Sequence, residues 1–255
     1  DTTIDRLSLA GGGTIAEADG ALAVTADLDY AASGLALADA ALTEALGDEI
    51  GGRLRLARSG DDPLTIEALT LGGADYGLDA AGTVAFAERQ VEIDGRASVA
   101  AQDLSRFSGL AGRDLTGAAD ITLAGQATPI AGLFDVTLDL AGEGLSIGDE
   151  TADPFLDGPV SLSAAVRRDQ TGTILDRLAL DSPAVRVDGS ARLVPGSSAF
   201  DLEADLADVS LLRPDLEGAV RMRGEGEETE PDLWRVDLDV DGPYDSAVAL
   251  QGTAG

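Results

Sequence analysis

The most metal-like residues of this chain are three aspartates at alternate positions. Asp237, Asp239 and Asp241, followed by Gly242, match the first six positions of a calcium-binding EF-hand loop. The match ends at position twelve, where Val248 replaces the bidentate glutamate that such a loop needs. Because the same aspartates alternate with apolar residues, we favour the solvated face of a β-strand over a calcium site.

Two glycine-rich motifs and one group of arginines are the other candidates. GEGEETE (224–230) indicates a solvated loop or, less favoured, a weak calcium site. GGG (11–13) lacks the continuation of a phosphate-binding loop and predicts a turn. Arg53, Arg55 and Arg58 are expected on the polar side of one strand, where neighbouring Asp or Glu residues can pair with them.

Composition excludes many kinds of chemistry. His and Cys are absent and all 17 basic residues are Arg, which excludes a Ser-His-Asp triad, cysteine nucleophiles and ordinary zinc sites. The 47 acidic residues give a net charge of -30, which argues against nucleic acid and against docking on anionic headgroups. These acids are too scattered for any pair to indicate glycoside hydrolysis. We therefore expect no enzyme activity, no metal, no cofactor and no nucleic-acid partner.

Period-two alternation of apolar and polar residues dominates the chain. It is clearest at 22–30, 134–140, 160–166, 200–206 and 234–240. Turn signals such as SGDDP and VPGSS separate these segments, and roughly 18 strands would fit. The sequence thus predicts an all-β fold.

Two segments depart from this period. DAALTEALGD (39–48) and QDLSRFSGLAGR (102–113) have apolar residues at helical spacing, and each begins near an Asp and ends near a Gly. They predict one or two short helices.

An internal repeat of roughly 100–110 residues organises the chain. IEALTL (66–71) matches LDRLAL (175–180) at an offset of 109, and IGGRLRLAR (50–58) matches LDGPVSLSA (156–164) at 106. We predict one continuous, extended sheet, with two stacked β-sandwich domains as the alternative. The predicted bounds are 1–21 for the end of a preceding repeat, 22–131 and 132–232 for two repeats, and 233–255 for the start of a third.

The apolar side of these strands is the candidate functional surface. Aromatic residues make up only 4% of the chain, so this side has few bulky side chains to fill a core. A curled sheet with such a lining would form a groove suited to acyl chains, although the same side chains could instead fill a closed core. The predicted groove lining is Val24, Leu28, Phe134, Val136, Leu138, Val160, Leu162, Phe200, Leu202, Trp234, Val236 and Leu238.

Three phrases carry a resemblance to a known family. DLSRFSGLAGRDLTGAADITLAG (103–125) resembles the TamB family, whose members have a short D-L-x-x-L/F-x-x-L-A-G helix followed by L-x-G and an alternating strand. IEALTLGGADYGLDAAGTVAF (66–86) and LDRLALDSPAVRVDGSARL (175–193) are similar to its companion phrase. The related AsmA-like proteins share this architecture.

The resemblance implies a fold, a location and a function. The sheet would curl into a long open trough, a β-taco, in a periplasmic protein that spans from the inner to the outer membrane. It would carry phospholipid between the membranes and assist outer-membrane protein assembly with a TamA-type barrel. This chain would be an internal fragment, with the inner-membrane anchor and the barrel-binding part elsewhere in the parent protein.

A different class of protein remains the alternative. An acidic, repeat-built surface adhesin or calcium-stabilised stalk would show similar alternation and charge. Stabilisation by calcium would favour the stalk, whereas co-purified phospholipid would favour the groove.

Overall fold

The computed structural model describes residues 2–18, 20–87, 90–230, 233–243 and 247–254. The contacts divide the chain into unit 1, residues 1–132, and unit 2, residues 133–255. In the part of the chain described, no helix is both long and apolar enough to cross a membrane.

Unit 1 is an antiparallel sheet with two short helices. Its described elements are β1 (Arg6–Ala18), β2 (Ala21–Ser33), α1 (Ala40–Leu46), β3 (Glu49–Ser59), β4 (Leu64–Gly72), β5 (Tyr76–Ala87), β6 (Gln90–Ala101), a 3-10 turn (Leu104–Phe107), α2 (Ser108–Ala111), β7 (Thr116–Thr128) and a 3-10 turn (Pro129–Ala131). Each strand from β1 to β6 pairs with the next one along the chain. Within the described residues β1 does not pair with β7, so this sheet is open.

Unit 2 repeats this arrangement without an α-helix among its described residues. Its elements are β8 (Leu133–Ser146), a 3-10 turn (Asp153–Phe155), β9 (Pro159–Arg168), β10 (Thr173–Asp181), β11 (Val185–Leu193), β12 (Ala199–Leu206), a 3-10 turn (Val209–Leu211), β13 (Val220–Glu230), β14 (Leu233–Asp241) and β15 (Ala247–Ala254). Neighbours in sequence again pair antiparallel, from β8 to β15. The predicted all-β fold with an unclosed, extended sheet is confirmed.

The two short helices form where the sequence predicts them. Asp39 caps α1 by accepting hydrogen bonds from the amides of Ala41 and Leu42, and Gly47 ends the helix at a φ of 77°. Asp103 caps the 3-10 turn before α2 in the same way, and α2 ends at Gly112 with a φ of 65°. Local capping chemistry therefore sets both segments.

Each sheet has one apolar and one polar face. Directly opposed residues of an antiparallel pair point to the same side of a sheet, so the register connects the faces across strands. The apolar face of unit 1 includes the row Leu28, Leu54, Leu69, Ala80, Ala97 and Leu123. The apolar face of unit 2 includes the row Leu138, Ala164, Leu178, Gly189, Leu202, Gly224, Leu238 and Leu250. The intervening residues, rich in Asp, Glu and Arg, form the polar faces.

Two loop predictions are wrong. GGG (11–13) lies inside β1, opposite residues 26–28, and GEGEETE (224–230) lies inside β13. Both runs place glycine on the apolar face at alternate positions, and atoms of the neighbouring strand closely approach Gly11, Gly13 and Gly226. A Cβ at Gly13 would lie 2.5 Å from the carbonyl oxygen of Thr25. These glycines therefore serve close strand packing rather than a turn.

A β-bulge recurs at the same place in the two units. The register of β4 shifts between Ile66 and Leu69, and that of β10 shifts between Leu175 and Leu178, 109 residues later. The acidic residue within each bulge pairs with an arginine of the preceding strand. Those pairs are Glu67 with Arg55 at 3.7 Å and Asp176 with Arg167 at 3.0 Å.

The bulges correct one sequence alignment. Leu54 lies opposite Leu69, and Ala164 lies opposite Leu178, so β3 and β9 correspond at an offset of 110 rather than 106. The error arose from aligning glycines in different settings, since Gly52 lies inside β3 whereas Gly158 precedes β9. The predicted repeat bounds themselves stay a prediction.

Candidate functional site

The predicted lining residues share the apolar faces. In unit 1, Val24 and Leu28 lie on the apolar face of β2. In unit 2 the register places all ten predicted residues on one face: Phe134, Val136 and Leu138 of β8, Val160 and Leu162 of β9, Phe200 and Leu202 of β12, and Trp234, Val236 and Leu238 of β14. Their role in lining a groove stays a prediction.

Most of these side chains are only half-buried. Val160 is buried at 4% exposure and Leu28 is 37% exposed, while the other ten are intermediate. Among the described residues no large side chain is fully buried, and the core consists mainly of alanines. The apolar face is therefore covered incompletely.

The total exposed surface is large for the mass. The chain exposes 15636 Å², whereas a compact protein of 25.8 kDa would expose about 10,500 Å². Two separate compact domains of half that mass would expose about 12,600 Å². An excess over two separate compact domains is expected of open sheets.

One edge of the apolar face is covered. We call this side of the sheet, formed by the ends of the strands and not by an outer strand, the helix edge. Here β2, β4 and β6 end and β3, β5 and β7 begin, and α1 and α2 lie in the connections. In unit 2 the corresponding edge lies at the beginning of β9. Among the residues whose burial is described, seven apolar ones are buried, and each lies at this edge of its own unit: Ala32, Leu35, Ala45, Tyr76, Ala101 and Ala119 in unit 1, and Val160 in unit 2.

The opposite edge is exposed. We call it the hairpin edge; there β1, β3 and β5 end, as do β9 and β11. Leu22 is 59% exposed, Phe86 62% and Leu193 56%, and all three lie on the apolar faces near this edge. The apolar face is therefore open towards the hairpins.

Arg106 holds the helix edge of unit 1 together. Its Nη1 donates to the carbonyl oxygen of Ala45 at 3.2 Å, and its Nη2 lies 2.5 Å from the carboxylate of Asp75. Its guanidinium also lies 5.2 Å from the ring centroid of Tyr76, whose hydroxyl donates to the carbonyl oxygen of Leu46 at 3.0 Å. Burial raises the pKa of Tyr76, so this hydroxyl stays protonated as a donor.

These contacts also curl the sheet. The carbonyl groups belong to α1, which precedes β3, whereas Arg106 follows β6. In a flat sheet β3 and β6 would lie about 14 Å apart. Direct contact between their helical connections draws the strand ends together over the apolar face.

Ion pairs cover the polar faces. Arg53 and Arg55 both pair with Asp27, at 2.6 and 3.4 Å, and the hydrogen bond from Arg53 lowers the pKa of the Asp27 carboxyl. In unit 2, Arg221 pairs with Asp205 and Arg223 with Glu203, at 2.6 and 2.9 Å. The predicted cross-strand pairing of Arg53 and Arg55 is confirmed.

The prediction for Arg58 is wrong. It lies opposite Val24 and shares the parity of Leu54 and Leu56, so it lies on the apolar face. The grouping with Arg53 and Arg55 overlooked that Arg58 is an odd number of residues from both. Arg168 lies likewise on the apolar face of unit 2, opposite Phe134, and sequence reasoning did not single it out.

The three aspartates that resembled a calcium loop belong to β14. Asp237, Asp239 and Asp241 lie on its polar face, opposite Gln251, Ala249 and residue 247 of β15. The interpretation as an alternating strand is confirmed.

The apolar face of each unit offers a binding surface. An extended apolar molecule could lie on it and be stabilised by burial, at about 25 cal/mol per Å² of apolar surface removed from water. Comparison of the chain with models of protein families, with curated proteins and with solved structures yielded no match.

Proposed function

We propose that this chain is a segment of a TamB-like or AsmA-like periplasmic bridge that carries phospholipid acyl chains on its apolar faces. The observation that carries the proposal is the half-exposed apolar face. In each unit the register places apolar residues of neighbouring strands opposite one another on this face. A soluble domain with nothing to bind would bury such a face.

The energetics favour holding a lipid without fixing its position. Covering about 200 Å² of acyl chain would contribute about 5 kcal/mol. The central row of the face in unit 2, from Leu138 to Leu250, contains no polar side chain. Neighbouring positions would then bind a chain about equally well, which permits sliding.

The sequence resemblance supports the cellular setting. The phrase at 103–125 forms the capped 3-10 turn, α2 and most of β7. In the proposal the parent protein is anchored in the inner membrane and reaches the outer membrane. There, parts outside this chain contact a TamA-type barrel and support outer-membrane protein assembly.

A matched pair of substitutions tests the proposal. Ala164 and Ala165 are neighbours on β9, both half-buried. Ala164 faces Leu138 and Leu178 on the apolar face, whereas Ala165 faces Thr137 and Arg177 on the polar face. Extracting the purified proteins and measuring lipid by mass spectrometry should find phospholipid with the wild type and with Ala165→Asp. Ala164→Asp should lose most of it and keep its circular dichroism spectrum.

A closed core would give a different result. In that case Ala164→Asp would unfold, and the wild type would carry no lipid. Phe86→Asp supplies a second reading, because this side chain is 62% exposed and its replacement should leave folding intact. Lipid bound equally by Phe86→Asp, Ala164→Asp and the wild type would overturn the proposal.

A further inference from the structure

The apolar faces carry two arginines. Arg58 lies at the end of β3 opposite Val24, and Arg168 lies at the end of β9 between Phe134 and Thr173. Both are exposed and both lie at the hairpin edge, where the apolar face is open. They are the only cationic residues on these faces among the strand residues described.

The two arginines occupy equivalent positions. Arg58 and Arg168 are 110 residues apart, as are their partners Val24 and Phe134, and this is the offset that the register gives for β3 and β9. The two units therefore place a cation at the same point beside the apolar face.

Neither guanidinium has a carboxylate partner among the described residues. Arg58 Nε donates to the backbone carbonyl oxygen of Asp62 at 3.2 Å, whereas the guanidinium of Arg168 forms no hydrogen bond or ion pair with the described residues. The adjacent Arg167, on the polar face, pairs with Asp176. The carboxylate of Asp169 is already occupied by the hydroxyl and amide of Thr171.

We infer that Arg58 and Arg168 each bind the phosphate of a lipid whose acyl chains lie on the adjoining apolar face. The inference rests on the proposed function and assigns the lipid an orientation. The headgroup lies in water at the hairpin edge, and the chains run towards the helix edge. A guanidinium offers two parallel donors that match a phosphate.

The charge of the chain makes a local cation necessary. With a net charge of -30, the field of the protein repels a phosphate at most of its surface. A guanidinium without a carboxylate partner among the described residues offsets this repulsion where the headgroup would lie. The acidity of the whole chain is therefore compatible with phosphate binding at these two points.

Two soluble probes with the same dioctanoyl chains separate the phosphate from the apolar contribution. Dioctanoyl phosphatidylglycerol carries the phosphate, and dioctanoylglycerol does not. Titration of Arg58→Gln, Arg168→Gln and the double variant by tryptophan fluorescence and calorimetry should show about tenfold weaker phospholipid binding in the double variant. Binding of dioctanoylglycerol should not change.

Arg192→Gln is the matched control. Arg192 is exposed at the hairpin edge of β11, but it faces Ile174 and Ala199 on the polar face. It should bind both probes as the wild type does. An equal loss in this control would mean a general effect of net charge and would overturn the arginine site.

The remaining outcomes separate this inference from the proposed function. If the wild type binds neither probe, the proposed function fails. If the double variant keeps full affinity for the phospholipid, the arginine site fails while the groove stands. Inorganic phosphate alone, used as a third probe, should bind far more weakly; binding as tight as that of the lipid would assign the site to free phosphate and overturn the lipid orientation.

Discussion

The ring of Phe200 lies over the bare backbone of Gly226, its directly opposed partner on β13. A Cβ placed on Gly226 would come 2.2 Å from the ring carbon Cε1 of Phe200. The same ring lies 5.9 Å from that of Trp234, centroid to centroid. Because Gly226 has no side chain, the ring of Phe200 can lie directly against the backbone of β13.

Replacing this glycine should destabilise unit 2. Gly226→Ala forces the Phe200 ring out of its position, and we expect a loss of about 1–3 kcal/mol in the free energy of unfolding. Urea titration followed by Trp234 fluorescence measures it. Gly252→Ala is the control, since a Cβ there meets nothing within 4 Å. Equal stability of the two variants would contradict the packing assigned to Gly226.

The Phe200–Gly226 pair also explains where sequence reasoning stopped. Alternation correctly placed Phe134, Leu138 and Trp234 on one face, because side-chain direction follows parity alone. It failed for GEGEETE, because glycine lacks the propensity that marks a strand. What makes glycine suitable there is a ring on another strand, and one sequence does not reveal which strand that is.

The two apolar-face arginines show a second limit. Arg58 is an even number of residues from Leu54 and Leu56, so alternation alone predicts it on the apolar face. Its charge instead suggested that it lies with the other arginines of β3 on the polar face. A cation on an apolar face is tolerated only at an open edge, where its head reaches water. Which edge is open depends on α1 and Arg106 covering the other one, and that requires the fold.

Removing the Arg106 side chain should loosen unit 1. Its side chain is 18% exposed and that of Asp75 is 28% exposed, so Arg106→Ala leaves a carboxylate in a largely dry position. We expect a loss of about 3 kcal/mol in the free energy of unfolding, measured by urea titration. Arg113→Ala, at an exposed position after α2, should change it by less than about 0.5 kcal/mol. If both variants unfold at the same urea concentration, Arg106 does not hold the helix edge.

Capping aspartates should make the fold sensitive to acid. Backbone amides of Ser210 and Gly218 donate to Asp208 at 3.0 and 3.1 Å, and these hydrogen bonds lower its pKa below 3.8. Because the folded-state pKa lies below the unfolded one, the carboxylate stabilises the fold fully above the unfolded value. That stabilisation is lost as the pH falls through the lower, folded value.

The expected result is a pH-dependent difference between variants. Asp208→Asn should melt at a lower temperature than the wild type at pH 7, and the gap should close as the pH falls through the lowered pKa of Asp208. Thermal melts followed by circular dichroism across this range measure it. Asp120→Asn, at an exposed position on the polar face of β7, should match the wild type throughout. A gap that persists unchanged at low pH would mean that Asp208 acts by shape and not by charge.

Salt should stabilise the chain without any requirement for calcium. The ion pairs of the polar faces are outnumbered by unpaired acids, since 47 acidic residues face only 17 arginines. Screening weakens the net repulsion, because the Debye length falls from about 10 Å at 0.1 M to about 3 Å at 1 M. We expect the melting temperature to rise by several degrees between about 0.1 M and 1 M sodium chloride.

Calcium chloride at equal ionic strength should raise it by the same amount, and Asp239→Asn should respond like the wild type. A much larger rise with calcium, lost in Asp239→Asn, would instead favour a calcium-stabilised stalk, because only specific ligation distinguishes the two salts at equal screening.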